Sequence, residues 1–549
     1  MGSKPFAAKL GAFCLAPLCA TLSWSANAQV DAGQVFRELT PEMVEPMPSR
    51  QFQIETPDLS RAEPGGPTVQ VEGVTFEGYS LYSQEELLAV VKEYLHKPQD
   101  LAGLRAMANQ VSRFYRDQGY LFARAVLPPQ STNAGIIRVS IIEGRYGEVR
   151  THGHPDLYPA AQSFLEPLRA GGVIESTQLE RSTLILSDQP GIEAIPVIKP
   201  GKEAGTGDLD VEIRRGDRFS GEIGLDNHGN RYTGRHRMRA GVQAGSTFLL
   251  GDEISLLGLY TEEDLMFGSL QYALPVGGSG LRAFAGLSYS DYELGKEFAV
   301  LGVTGKALAR EVGLSYPMVR SQKANLSLHL SHEYKELEDS QDNSHDNRKT
   351  SSSLPISLRF DYRDGWGPWG ITYGQVSAKL GRLDLDDDLS TFDLGHTEGD
   401  FQILALDVVR LQGLPENFSL MARLRAQYAF ANLDSSEGMS LGGPNGVRAY
   451  PLGEASGDDG WLGQIELRYR YENYTPYVFF DAGRIRINAK DYDTTANSRD
   501  LSGLGLGMKY DRKPWHGDLS IAWSTGGGDP ESTSKKETPV VWANFGYRF

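Results

Sequence analysis

A chain of 549 residues with 40% hydrophobic and 23% charged side chains is too apolar for a disordered polymer and too polar for a bundle of membrane helices. Its formal charge of −17 argues against nucleic acid as a partner. Both cysteines, Cys14 and Cys19, fall in the first 28 residues.

Those 28 residues read as an export leader. Lys4 and Lys9 precede an apolar stretch from Leu10 to Leu22, and Ala26-Asn27-Ala28 supplies the small residues of a cleavage site before Gln29. The stretch is short of the ~20 residues a spanning helix needs. Leu18 is too bulky to make Cys19 a good lipoprotein site. The mature chain is therefore cysteine-free, which removes disulfides, thiolate metal sites and cysteine nucleophiles together. Without the two leader lysines the formal charge becomes −19. No later stretch reaches 18 consecutive apolar residues, so the one membrane architecture left open is a closed β-barrel, whose alternating strands escape a hydropathy scan.

Residues 29–67 carry Pro41, Pro46, Pro48, Pro57, Pro64 and Pro67, the composition of a linker. Within it Gln34 to Val44 spaces Val35, Phe36, Leu39 and Met43 as a short helix, which is stable only if it docks on a surface; whether it plugs the pore is left open by the sequence. From Thr68 the pattern sharpens into a small α+β module over 68–145. TVQVEGVTFEG alternates as a strand, SQEELLAVVKEYL opens with a Ser83–Glu86 capping box and is expected to run on to Pro98, DLAGLRAMANQVSRFYRDQG makes a second helix, and LFARAVLP and GIIRVSIIEG finish the order β-α-α-β-β. Residues 146–216 repeat that order more loosely, ending in GDLDVEIRR with Leu209, Val211 and Ile213 on one face. Such modules offer exposed sheet edges, to which an extended peptide can add as a further strand.

Beyond Arg218 the texture changes. Segments of about 9 to 14 alternating residues, among them RHRMRAGVQAGS, DEISLLGLYT, GLRAFAGLSYS and FSLMARLRAQYAF, are separated by Gly, Asp, Asn and Ser clusters. In the last, VWANFGYRF, Val541, Ala543, Phe545, Tyr547 and Phe549 form an apolar face opposite Trp542, Asn544, Gly546 and Arg548. Lipid outside and water inside produce this pattern, and 217–549 is predicted to close as a transmembrane barrel of about sixteen antiparallel strands. One connection stands out, 431–460, between strands expected to end at Phe430 and restart at Trp461. Ordinary connections run ~4 to 6 residues, and one this long without structure of its own is usually functional. It contains Val447-Arg448-Ala449-Tyr450. In YVFFDAG, parity sets Val478, Phe480 and Ala482 on the lipid side and turns Tyr477, Phe479, Asp481 and Gly483 to the lumen, where a carboxylate is tolerated. A guanidinium folded into that lumen needs a carboxylate partner, and Asp481 is the nearest lumen-facing candidate in sequence.

Leader, two modules and terminal barrel together resemble the outer-membrane transporters of two-partner secretion, the haemolysin-activator or TpsB type, within the POTRA-plus-barrel superfamily. Val447-Arg448-Ala449-Tyr450 resembles the V-R-G-[YF] tetrad at the tip of that superfamily's long sixth loop, with Ala449 in place of the usual glycine. Phe479, Asp481 and Gly483 match its F-x-D-x-G barrel-wall motif. The resemblance implies a monomeric translocator that binds a secreted exoprotein (an adhesin, haemolysin or contact-dependent toxin) in the periplasm and passes it through the barrel, in contact with outer-membrane lipid and without a cofactor. On that basis Arg448 is expected to latch the loop to Asp481.

The alternatives are an insertase for other barrels, a branch that usually carries more modules, and, further off, a barrel enzyme or a passive porin. GVTGKA around Lys306 lacks the spacing and hydroxyl of a phosphate loop, and no G-x-S-x-G elbow occurs, so no enzyme is expected. No metal is expected either. His152 and His154 read as surface residues, and Asp384, Asp386, Asp387 and Asp388 as an acidic outer loop. A porin would leave the modules before Arg218 without purpose.

Overall fold

The computed structural model describes residues 30–40, 45–47, 62–131, 133–341, 346–492, 496–533 and 536–549. The leader over 1–28 and Met43 lie outside them.

Helix α1, Ala32–Leu39, is capped by the Asp31 carboxylate, which accepts from the Gln34 amide at 2.9 Å. It starts and stops earlier than the apolar spacing predicts. Aspartate is a strong N-cap, and Thr40, extended at φ −80° and ψ 118°, precedes Pro41, whose ring disfavours a helical neighbour. Val35 and Phe36 are buried against Phe267, Tyr292 and Leu337 inside the barrel.

The first module forms a three-stranded sheet in which Gly73–Glu77 runs parallel to Ile136–Ile142, itself antiparallel to Arg124–Val126. The Ser83–Glu86 capping box forms and opens the helix Gln84–Val90, and a second helix spans Leu101–Asp117. Two details depart from the sequence pattern. The expected single strand divides, since Val69–Gln70 pairs with Pro98–Gln99 away from the main sheet. The first helix gives way at Val91, fully buried, to a 3₁₀ turn over Lys92–Tyr94, well before Pro98. In the second module Arg145–Gly153 runs parallel to Thr206–Arg215, which pairs with Ile192–Pro200, and the helix Ser176–Ser187 packs over Leu209, Val211 and Ile213.

Among the described residues sixteen antiparallel strands close a barrel. In order they are β1 Phe219–Asp226, β2 Arg237–Gly245, β3 Glu253–Thr261, β4 Met266–Pro275, β5 Arg282–Glu293, β6 Thr304–Arg320, β7 Ala324–Ser340 and β8 Asn347–Asp364. There follow β9 Gly370–Leu385, β10 Gly399–Gly413, β11 Phe418–Ala429, β12 Asp459–Tyr469, β13 Tyr474–Arg486, β14 Ser498–Arg512, β15 Trp515–Gly526 and β16 Val540–Arg548. Each pairs with its chain neighbour, and β16 closes on β1. Strands β6 to β8 reach 17, 17 and 18 residues, longer than the alternation marks. Their outer ends carry charge on the outward face, as in the cross-strand pairs Arg310–Glu336 and Arg348–Glu338. The ladder therefore continues after the apolar alternation has stopped, past the ~9 to 11 residues a bilayer needs.

Parity is visible in β14, where Leu504 and Leu506 are exposed outward while Gly503, Gly505 and Gly507 face the lumen and accept Ala449, Phe479 and Tyr477 against their bare backbones. The second module abuts the near-end turns of the barrel. Arg320 forks onto Asp188 at 2.6 and 2.8 Å, and Arg181 donates to the Pro317 carbonyl at 2.6 Å.

Candidate functional site

The connection between β11 and β12 turns into the barrel and fills part of its lumen. It carries a short ladder, Met439–Ser440 against Ser456–Gly457. Its apolar residues Leu441, Val447, Ala449 and Tyr450 pack on Leu462, Phe479, Ile485 and Leu501 of the wall. Inside this dry contact lies Arg448, 5% exposed, beside a fully buried Asp481.

Arg448 and Asp481 meet as a fork. Nε donates to Asp481 Oδ2 at 2.8 Å, Nη2 to Oδ1 at 2.7 Å, and the Arg448 amide to Oδ2 at 3.1 Å. Nη1 donates to Glu466 Oε1 at 2.6 Å. The guanidinium carbon lies 3.5 Å from the centre of the Phe479 ring, within cation–π range. Phe479 in turn rests on Gly505, where an added Cβ would come within 2.3 Å of the ring. Gly483 leaves room for Leu441, whose Cδ2 would stand 2.7 Å from a Cβ there. All seven motif residues, Val447, Arg448, Ala449, Tyr450, Phe479, Asp481 and Gly483, thus belong to one contact region. Ala449 has a negative φ, so alanine is no strain at the tip, and its methyl fits against Gly503.

Charges around the fork are matched: Arg448, Arg468 and Lys509 face Asp481, Glu466 and Asp518. Two further bonds tie the tip to the last strands. Trp542 Nε1 donates to the Arg448 carbonyl at 2.8 Å, and Tyr450 donates to the Gly526 carbonyl at 2.8 Å. The sequence reading named neither Glu466 nor Trp542 as a partner. Alternation does turn Trp542 to the lumen, but parity does not say what lies across it.

The base of the loop is fastened to the wall at β7 to β9. Glu437 accepts from Lys335 at 2.8 Å and from Lys379 at 2.7 Å. Lys349 donates to Asp434 and to Asp31 of the helix cap, both at 2.8 Å. Ser435 and Arg37 complete the link between α1 and the loop, with Ser435 Oγ donating to Asp31 at 2.6 Å and Arg37 Nη1 to the Ser435 carbonyl at 2.6 Å. Such charge-assisted bonds are strong when dry and exchange readily once wetted, a chemistry of reversible fastening. Away from this region, His152 Nδ1 lies 2.8 Å from Asp210, and Asp386 caps the short helix Asp387–Phe392.

Residues 205–510 match the family described as haemolysin secretion/activation protein ShlB/FhaC/HecB, and residues 69–144 match the ShlB-type POTRA domain. The heme/hemopexin transporter protein HuxB of Haemophilus influenzae is 30% identical over 447 residues, 77% of each chain. The hemolysin transporter protein ShlB of Serratia marcescens is 24% identical over 94% of each. The solved structure of CdiB from Escherichia coli superposes with a TM-score of 0.73 at 18% identity, covering 94% of this chain and 96% of that one, a likeness of fold. The chain belongs to the ShlB/FhaC/HecB family of two-partner secretion transporters, a barrel of the bacterial outer membrane with its POTRA domains in the periplasm.

Proposed function

We propose that this transporter receives an unfolded exoprotein by strand addition to its POTRA sheets and threads it through the barrel when the inward loop gives way, with Arg448 as the latch. The observation that carries the latch is the buried fork between Arg448 and Asp481, on a loop that shares the lumen with α1. An ion pair this dry has two defined states, made or broken, and breaking it releases the tip from β12 and β13.

The cargo in this reading is a secreted protein, an adhesin, haemolysin or contact-dependent toxin, and the name of one relative, a hemolysin transporter, supports the second of these. The work is transport by a monomer set in lipid, with no covalent step and no cofactor. Deleting residues 68–216 tests the reading. Ion conductance by the barrel is expected to survive, while export of the cognate exoprotein stops. Continued export by the deleted protein would reject a receptor role for the POTRA domains.

A further inference from the structure

Residues 45–47 lie at the periplasmic end of the barrel wall, and Met47 is held there by its main chain. Its amide donates to Asp361 Oδ2 at 3.3 Å, and Arg363 Nη2 donates to its carbonyl. Asp361 and Arg363 stand two residues apart on β8, one same-face repeat of about 6.8 Å. Arg363 Nη1 also donates to Asp361 Oδ1, so the acceptor and the donor are held side by side, as are the N–H and C=O that any extended residue presents on one side.

The pair is held in place before any peptide arrives. Asp361, 4% exposed, accepts from Asn325 Nδ2 at 3.0 and 3.1 Å. Asn325 Oδ1 accepts from Arg320 Nη1 at 3.0 Å, and Arg320 is the residue forked onto Asp188 of the second POTRA domain. A continuous series of hydrogen bonds therefore joins that domain to the pair. Further up the same strand, Lys349 holds Asp31, twelve residues from Asp361, or about 40 Å at ~3.4 Å per residue. Ser351, Ser353 and Ser357 share the lumen-facing parity of β8 between these two points.

We infer that Asp361 and Arg363 form a main-chain clamp at the periplasmic mouth, occupied at rest by the protein's own N-terminal segment and in transport by the secreted polypeptide. The inference rests on the transport function. Reading N–H and C=O in place of side chains makes the clamp indifferent to cargo sequence. An incoming extended chain replaces one amide and one carbonyl by another, so the exchange leaves no charged group unpaired.

The full mature protein in planar bilayers tests this, because a peptide that takes the place of the segment at the mouth registers as a block of the conducting barrel. A synthetic peptide with the sequence of residues 40–52, and the same residues in scrambled order, are added on the periplasmic side and the dwell times of the blocks are measured. Both peptides are expected to dwell equally long in the parent. Arg363→Met and Asp361→Ala are expected to shorten the dwell about tenfold, the effect of a lost charge-assisted hydrogen bond, and Arg363→Lys to recover part of it. Heat-modifiable migration in electrophoresis shows that each variant keeps its barrel. Equal dwell times in parent and both variants, or block by the native order alone, would overturn the clamp. Neither result touches the export assay that tests the transport function itself.

Discussion

Arg448 is surrounded by groups that only a planar, permanently charged fork can satisfy together. Its guanidinium spans two carboxylates on neighbouring strands and lies over Phe479, while its main-chain carbonyl accepts from Trp542. Removing it strands Asp481 in a fully buried position, and breaking such a pair from one side costs about 3 to 5 kcal/mol. Arg448→Ala is expected to give a membrane-inserted, heat-modifiable barrel with raised conductance and no export. Arg448→Lys keeps the charge but reaches one carboxylate at a time, so it is expected to fall between the two. Normal secretion by the alanine variant would remove the latch. At this scale the sequence was informative about direction: the alternation in YVFFDAG separates Val478 and Phe480, both exposed outward, from Phe479 and Asp481. The identity of the second acid, Glu466, was hidden, because nothing in a strand's own pattern tells which neighbour's side chain a loop residue will reach.

Helix α1, the inward loop and the wall strands β7 to β9 behave as one fastened unit. Lys349 is the shared post, paired at once with Asp31 of the helix cap and Asp434 of the loop, while Lys335 and Lys379 hold Glu437 beside it. Lys349→Met leaves two carboxylates facing each other without their cation, so helix and loop are expected to loosen together. The check is open probability in planar bilayers, expected to rise severalfold over the parent, with faster labelling of single cysteines placed at Phe36 and at Ser440. Labelling that rises at one site alone would show that the two elements are released independently. The helix itself was partly legible, since Val35, Phe36 and Leu39 mark it. Its end was set by Pro41 acting on Thr40, a local effect stronger than the apolar spacing.

Across the whole molecule three bodies are joined by polar contacts, and the joint between the POTRA domains carries a pH dependence. Glu143, 3% exposed, accepts from the Ser80 amide and hydroxyl, both at 2.6 Å, from the Leu81 amide at 3.0 Å and from Arg145 at 2.8 Å. Burial alone would raise its pKa, but these donors outweigh burial and hold the carboxyl below its ordinary value of 4.5. A carboxylate depressed in the folded state stabilises at pH above that ordinary value, and the contribution is lost as pH falls through the folded pKa. Amide exchange at Ser80 and Leu81, corrected for its intrinsic pH dependence, is therefore expected to stay slow at pH above the ordinary carboxyl value of 4.5 and to rise as pH falls below it. Glu143→Gln is expected to remove that dependence, and an unchanged profile in this variant would exclude Glu143 as its source. What the amino-acid sequence determined alone is the barrel, the lumen-facing side of the strands in YVFFDAG and VWANFGYRF, and the two β-α-α-β-β modules, because these follow from periodicities of 2.0 and 3.6 residues that each segment carries within itself. What only the tertiary structure decided is which groups meet across the lumen: Lys335 and Lys379 with Glu437, Arg448 with Glu466, Met47 with Asp361. Those encounters depend on closure of sixteen strands and on the path of chain segments through the space they enclose, and no local repeat encodes either.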